Sequence, residues 1–531
     1  MFPVVSCGFP AVRSELSSAE YGRNNGSVIQ VLTRSGTNDY HGDAYWFGRY
    51  NALGARDFFN PASNGPQNRY TRNDFGASVG GPIIKDRAFW FVNYERRRFI
   101  TTLTNVSTVP TAAYKTGIFT VTDPVTGLPD PVNVSTPTSP DNALGYPLDP
   151  TMQKILALFP NPNGPAVTPG LSGTLFFPST SRLQSDSGTV RVDYNLSKKE
   201  MLSVRYSFNQ QSDPNFEHSD FLPNDLGATS LYVRNQNVSI GLTSTLTDRL
   251  INEFRFGANR SDQQYGCDGY KIFHSFGQID PIGIGADYGI PFGTSSSPGF
   301  GCLALTDFNG QARYTGTYQM LESMSYARGR HLFKWGGEFR DVYSNSYDNF
   351  STRAYLDFQA YTYSGIFALP PSSPLYYDAA TEDAVFTLLG YVDTQYQTQY
   401  FNKQNERTSS DLRGFRQREW AGFVQDTWKV LPNLTASYGL RYEYYGVPFE
   451  VNNNLSNLFA NPSGPAPFTF TIVGPGTGHT LYNNQYDNFE PRIGLAWDPL
   501  KDGRTSVRAG YGIFHDRVYG NLLGISRGNP P

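Results

Sequence analysis

The chain has 531 residues, with 43 Lys and Arg against 46 Asp and Glu, so its net charge of −3 supplies neither a basic footprint for nucleic acid nor an acidic tail. Aromatic residues reach 15%, Gly (52) and Pro (36) are plentiful, and Cys (3) and Met (5) are scarce, a composition suited to strands and turns rather than helices. No run of roughly 18 apolar residues is present, which argues against a membrane-spanning helix. The mean hydropathy of −0.43 is nevertheless compatible with a β-barrel, whose strands alternate apolar and polar residues between hydrophilic loops.

Met1–Cys7 has neither a basic region nor an apolar stretch long enough for an export signal, and Cys7 has no room upstream for a lipoprotein signal. Further along, Val190, Val192, Tyr194 and Leu196 share one face of a strand, with Arg191, Asp193 and Asn195 on the other. After Ser197–Glu200 the pattern resumes, with Leu202, Val204, Tyr206 and Phe208 opposed to Ser203, Arg205, Ser207 and Asn209. This predicts a hairpin of strands 187–196 and 200–209, its apolar row facing outward. The design recurs at Val238–Thr243, Glu253–Ala258, Phe333–Arg340, Leu434–Tyr444, Arg492–Asp498 and Ser506–Ile513.

Connector lengths fix the architecture. Tight turns fall near 82–87, 197–200, 247–249, 328–331, 429–433 and 499–504. Long connectors fall between them near 50–71, 99–186, 210–231, 262–314, 343–415 and 446–488. Strict alternation of short and long across about thirteen strands is the asymmetry of an outer-membrane barrel, and strands of about ten residues span its apolar band. Charges on the polar faces suit a wet lumen. The long connectors, typified by the Pro-rich stretch 121–170, read as partly ordered surface loops, with short helical turns at Thr151–Leu158 and Asp383–Leu389. No interior domain boundary is visible.

Three groups of residues carry a family resemblance. Ser18-Ala19-Glu20-Tyr21-Gly22-Arg23-Asn24-Asn25-Gly26 runs into Val28–Asn38, and His41-Gly42-Asp43-Ala44-Tyr45-Trp46-Phe47 follows. Arg56–Pro61, Arg72–Gly76 and Gly80–Arg87 then lead to Phe89–Glu95. Trp420–Trp428, Leu434–Glu443 and Glu490–Trp497 come later. In this order they resemble the Oar-like branch of the TonB-dependent transporters. The first group is similar to the last plug strand passing into the first barrel strand. The resemblance implies a plug remnant at 1–38 and a partial barrel at 39–531. It further implies that the TonB box, a regulatory-like domain, most of the plug and the last barrel strands of the 22-strand class lie outside this sequence.

Other motifs read as bland. Gly524-Ile525-Ser526-Arg527-Gly528 matches a nucleophile elbow but lacks the buried strand and following helix. Gly474-Pro475-Gly476-Thr477-Gly478 lacks the Lys-Ser/Thr of a phosphate loop. His41, His218, His274, His331, His479 and His515 show no ligand spacing, and Asp341, Asp348 and Asn349 read as solvated polarity rather than a calcium loop. Tyr361–Tyr363, Tyr376–Tyr377 and Tyr391–Tyr400 read as an interfacial girdle in preference to a stacking site for sugars or peptides. Cys267 and Cys302 share one connector, either as a disulfide or as two unpaired thiols.

The expectation is thus all-β: an incomplete, antiparallel up-and-down transmembrane β-barrel with short periplasmic turns and long extracellular loops. It would sit in the cell outer membrane, with no catalytic, cofactor or metal residues and no nucleic-acid partner. The resemblance implies uptake of an unidentified substrate (oligosaccharide, peptide or metal chelate), with outer-membrane lipid and the TonB complex as partners. The alternatives are an outer-membrane adhesin or assembly scaffold, or a secreted carbohydrate-binding β-protein.

Overall fold

The computed structural model describes residues 11–13, 18–23, 28–30, 32–56, 68–218, 222–224, 228–266, 287–289, 311–348, 354–358, 366–408, 411–461, 464–517, 520, 524 and 527. Thirteen long strands form one sheet in chain order. They are β1 His41–Tyr50, β2 Tyr70–Ile84, β3 Ala88–Pro110, β4 Ser172–Asn195 and β5 Glu200–Asp213. Next come β6 Ser230–Thr247, β7 Leu250–Gly266, β8 Gln311–Arg328 and β9 His331–Asp348. The last are β10 Arg413–Leu431, β11 Leu434–Tyr445, β12 Phe489–Trp497 and β13 Val507–Gly512. Every neighbour is antiparallel and sequential, as the alternating connectors predict, and β1 and β13 are the two edges of the sheet.

The predicted hairpin forms with Val192 opposite Val204 and Tyr194 opposite Leu202, while Arg191 meets Arg205 on the other face. Tight turns close the strands at one end. Gly329 has φ +61° between the paired Arg328 and His331, a two-residue turn opened by the one residue type that takes this conformation without strain.

Side-chain parity runs through the whole sheet. Trp46, Val79, Val190, Val204, Met320, Trp335, Val424, Leu440 and Ile493 are exposed on one face, as expected where lipid replaces water. Glu95, Arg191, Glu338, Arg441 and Arg492 lie on the other. Some acids depart from this sorting, and two of them show how. Asp426 shares the outer face with Val424, where His331 Nδ1 (2.7 Å) and Tyr438 OH (2.7 Å) reach its carboxylate. Glu322, outward with Met320, takes the Asn252 amide. Hydrogen bonding offsets the cost of these two placements.

Strands β2 to β11 are longer than the ten residues expected. β3 and β4 run 23 and 24 residues and stay paired to Pro110–Ser172, well above the apolar band. The connectors above them also correct the sequence reading. Rather than a partly ordered loop, 111–171 folds into a cap around its own apolar core, shared with Phe358, 366–391 and Leu222. Helix α1, Pro150–Ala157, is capped by Asp149, whose carboxylate accepts from Thr151 N (2.9 Å) and Met152 N (2.8 Å), and it buries Met152, Ile155 and Leu156. Helix α2, Ala379–Leu389, starts at Asp378 and ends at Gly390 (φ +66°), where a Cβ would strike Asp149. Backbone bonds Ala143 N to Ala368 O and Asp149 N to Leu388 O (both 3.0 Å) stitch the two connectors together.

Val109, Leu175 and Phe177 join this core from the same strand face that carries Asn93, Glu95 and Arg191 lower down. The cap therefore sits on the lumen side of the extended hairpin, and the β9–β10 connector reaches it from five strands away.

Candidate functional site

The lumen face of β9 to β12 is unusually charged, because alternation places Lys334, Glu338 and Arg340 on β9, Glu419 on β10, Arg441 and Glu443 on β11, and Glu490 and Arg492 on β12 all inward. Docked against them is the segment Ser18–Arg23, which forms no part of the sheet and so leaves its backbone groups free for side-chain partners.

Arg441 is 1% exposed. Its Nε meets Glu443 Oε1 at 2.6 Å and its Nη2 meets Glu338 Oε2 at 3.0 Å, while Nη1 donates to the carbonyls of Glu20 (3.2 Å) and Ala19 (3.5 Å). Arg492 pairs with Glu490 at 2.5 Å and donates to the carbonyls of Ser18 and Tyr21. Ala19 N donates to Gln425 Oε1 at 2.6 Å, Lys334 Nζ lies 3.1 Å from Glu20, and Arg23 lies 3.3 Å from Glu419. The planar guanidinium suits this work because one fork can hold a carboxylate while another edge holds a carbonyl. Cations and carboxylates interleave across the wall, so the burial is compensated pair by pair. Two glycines permit the approach: a Cβ on Gly22 would overlap Glu443 and Arg441, and one on Gly439 would come within 2.9 Å of the Ala19 Cβ.

A second tether holds the chain farther on. Arg191 on β4 donates to Thr33 O (2.8 Å) and Thr33 Oγ1 (2.9 Å), and Asn38 Oδ1 accepts from Asp86 N (2.7 Å) in the β2–β3 turn. The N-terminal segment thus contacts two distant parts of the lumen wall before entering β1.

Other sequence candidates fall apart in space. Tyr376 and Tyr377 pack on Phe367 within the cap (ring centroids 4.3 and 5.8 Å), Tyr391 packs on Phe386, and Tyr396 stacks on Tyr355. They sit in the β9–β10 connector, where Tyr391 packs on the cap core and Tyr376 is half-buried, while Tyr377 and Tyr396 stay exposed. Asp341 lies on the outer face, whereas Asp348 lies 3.7 Å from Arg527. Cys7, Cys267, Cys302, Asn349, His274, Tyr361–Tyr363 and most of 524–528 lie outside the described residues. The clamp had escaped notice in the sequence, although Glu20 and Arg23 and the strands carrying Arg441 and Arg492 all belong to the segments that bear the family resemblance.

Among known sequences, the family described as "Outer membrane beta barrel domain" matches residues 32–531. The TonB-dependent transporter Oar of Myxococcus xanthus is 24% identical over 530 residues, covering 95% of this chain and 43% of that protein. The chain therefore spans less than half the length of this curated relative. The outer membrane transporter YddB of Escherichia coli aligns at 9% identity and a TM-score of 0.47, over 95% of this chain and 47% of its own. A ferric enterobactin receptor of Pseudomonas aeruginosa aligns at 9% and 0.46, over 93% and 46%.

Proposed function

The chain belongs to the outer-membrane β-barrel domain family, and from that premise we propose that it is the barrel wall of a TonB-dependent uptake protein. Its location is the outer membrane, and a secreted carbohydrate-binding protein would have no use for its exposed apolar face. In this reading residues 1–38 are the end of a plug and 39–531 the wall. The cap receives substrate outside, and pulling by the TonB complex on the upstream plug frees the clamped segment. The reading assigns the chain no catalytic step. The observation that carries it is the clamp: Arg441 and Arg492 hold the carbonyls of Ser18–Tyr21 through contacts that are dense yet wholly polar, and therefore reversible without exposing an apolar core.

The test uses cells producing the protein in its natural reading frame with Glu20→Cys and Lys334→Cys, positions whose native side chains meet end to end at 3.1 Å, so that a bifunctional methanethiosulfonate can bridge the two thiols. Growth on limiting oligosaccharides, peptides or metal chelates is expected to require the gene and the proton-motive force. The bridged pair should stop it and a reductant should restore it. Gene-dependent uptake that ignores an uncoupler, or that continues through the locked pair, would refute the proposal.

A further inference from the structure

Away from the clamp, on β3 to β8, the inward face changes character. One cross-strand row on β3 to β8 reads Asn93, Thr189, Ser207, Asn237, Asn259 and Thr317, each laterally opposite the next. The row above it, from β4 to β8, reads Ser187, Asn209, Asn235, Ser261 and Thr315. From β4 to β8 neither row holds a carboxylate or a lysine, and on β3 the second row continues into Glu95, whose carboxylate accepts from Tyr45 OH at 2.5 Å. A cavity of 410 Å³ lies against both rows between β4 and β7.

This polar surface is in large part unused. Asn235, Asn259, Ser261 and Thr315 make no side-chain hydrogen bond to the protein among the described residues. The Asn93 carboxamide is 2% exposed, and neither its nitrogen nor its oxygen has a hydrogen-bond partner among the described residues. A buried amide left in that state costs free energy, so the row is built with capacity beyond what the fold consumes. Arg205 brings a charge to the inward side of the cavity, and its Nη2 already donates to Asn237 Oδ1 at 3.3 Å.

We propose that this wall is a transit site for a neutral oligosaccharide, a reading that rests on the uptake function above. Amides and hydroxyls both donate and accept, which is the complement of a sugar's vicinal hydroxyls. An anionic chelate would surrender its hydration chiefly for Arg205, because Arg191 opposite it is held by Asp193 and Thr33 and Arg260 pairs with Asp262. A peptide backbone would seek strand edges, and the backbone of β4 to β7 is already paired on both sides. The inward rows carry no aromatic ring on which a sugar could stack, so binding is weak and release fast. That combination favours passage over capture, since a path must let its cargo leave.

The experiment titrates the detergent-solubilised full chain with maltotetraose, tetragalacturonate and a Gly-Ser tetrapeptide, reading saturation transfer from protein to ligand by NMR. Maltotetraose is expected to bind in the millimolar range, with the other two at least about tenfold weaker. Asn235→Leu with Asn259→Leu should weaken maltotetraose about tenfold, and Asn235→Gln with Asn259→Gln should keep most of its binding. Equal binding of the three ligands, or unchanged maltotetraose binding in the Leu pair, overturns the assignment. The three-ligand comparison needs no variant and decides the matter even where the Leu pair does not fold. Selective binding without energised uptake in cells would overturn the uptake reading alone. Energised uptake without selective binding would overturn this site alone.

Discussion

Replacing Arg441 by Met removes the most buried cation of the clamp while keeping much of its packing volume. Two effects follow from its contacts. Glu338 and Glu443 lose a partner at 3.0 and 2.6 Å in a site 1% exposed, and breaking one side of a buried ion pair costs about 3–5 kcal/mol. The carbonyls of Ala19 and Glu20 lose a charged donor, and such hydrogen bonds contribute about 1.5–3 kcal/mol. Only the second share bears directly on the docked segment, so its opening should become roughly 10- to 100-fold more frequent. Lys334→Met is the control. Its ion pair with Glu20 is 34% exposed on the lysine side, which limits the loss to about 1 kcal/mol and the effect to about fivefold. Hydrogen exchange of the amides of residues 18–22, read by mass spectrometry, measures both, and Ala19 N reports directly because it donates to Gln425. Equal exchange in the two variants, or faster exchange with Lys334→Met, would refute the assignment of Arg441 as the principal clamp.

Further expectations follow from parity, sidedness and the cap. Val204→Arg, on the exposed outer face, should cost about 2–4 kcal/mol in a lipid folding titration, and Ser203→Arg, facing the lumen, well under half of that; equal costs would invert the faces. On intact cells an impermeant thiol reagent should label cysteines placed at Gly145 and Gly476 but not at Lys198 and Asp248, and uniform labelling would break the sidedness. In the cap, burial pushes the Glu382 carboxyl from 4.5 up to about 7, against backbone donors Ala368 N and Leu369 N that favour the charged form, while Asp383 and Asp378 raise it further. The folded cap then binds more protons than the unfolded one between these values. Its stability is greatest in acid and falls as pH rises through about 7, by about 3 kcal/mol in total. Protease nicking of the 366–378 segment should therefore accelerate with rising pH, and Glu382→Gln should flatten that profile; a flat profile in the unaltered chain would remove the carboxyl from the account.

The wall was legible in the sequence because its cause is local. Alternation of Val190, Val192 and Tyr194 with Arg191 and Asp193 states which side faces lipid, and Gly329 or Ser197–Glu200 states where the strand turns. Neither needs knowledge of a distant residue. The strand order followed, since each short turn leaves the next strand no neighbour but the last. The clamp and the cap are different in kind. Arg492 reaches carbonyls 471 and 474 positions away, and Tyr114 OH donates to Ala384 O across 270 positions at 2.8 Å. Such contacts have no period to betray them. The Pro-rich composition of 121–170 suggested loose loops because Val121, Val132, Ile155 and Leu156 look too sparse to form a core by themselves. They become one only when Phe386, Leu388 and Leu389 arrive from the β9–β10 connector. Sequence periodicity determined the wall, and only the closing together of remote segments decided what fills it and what covers it.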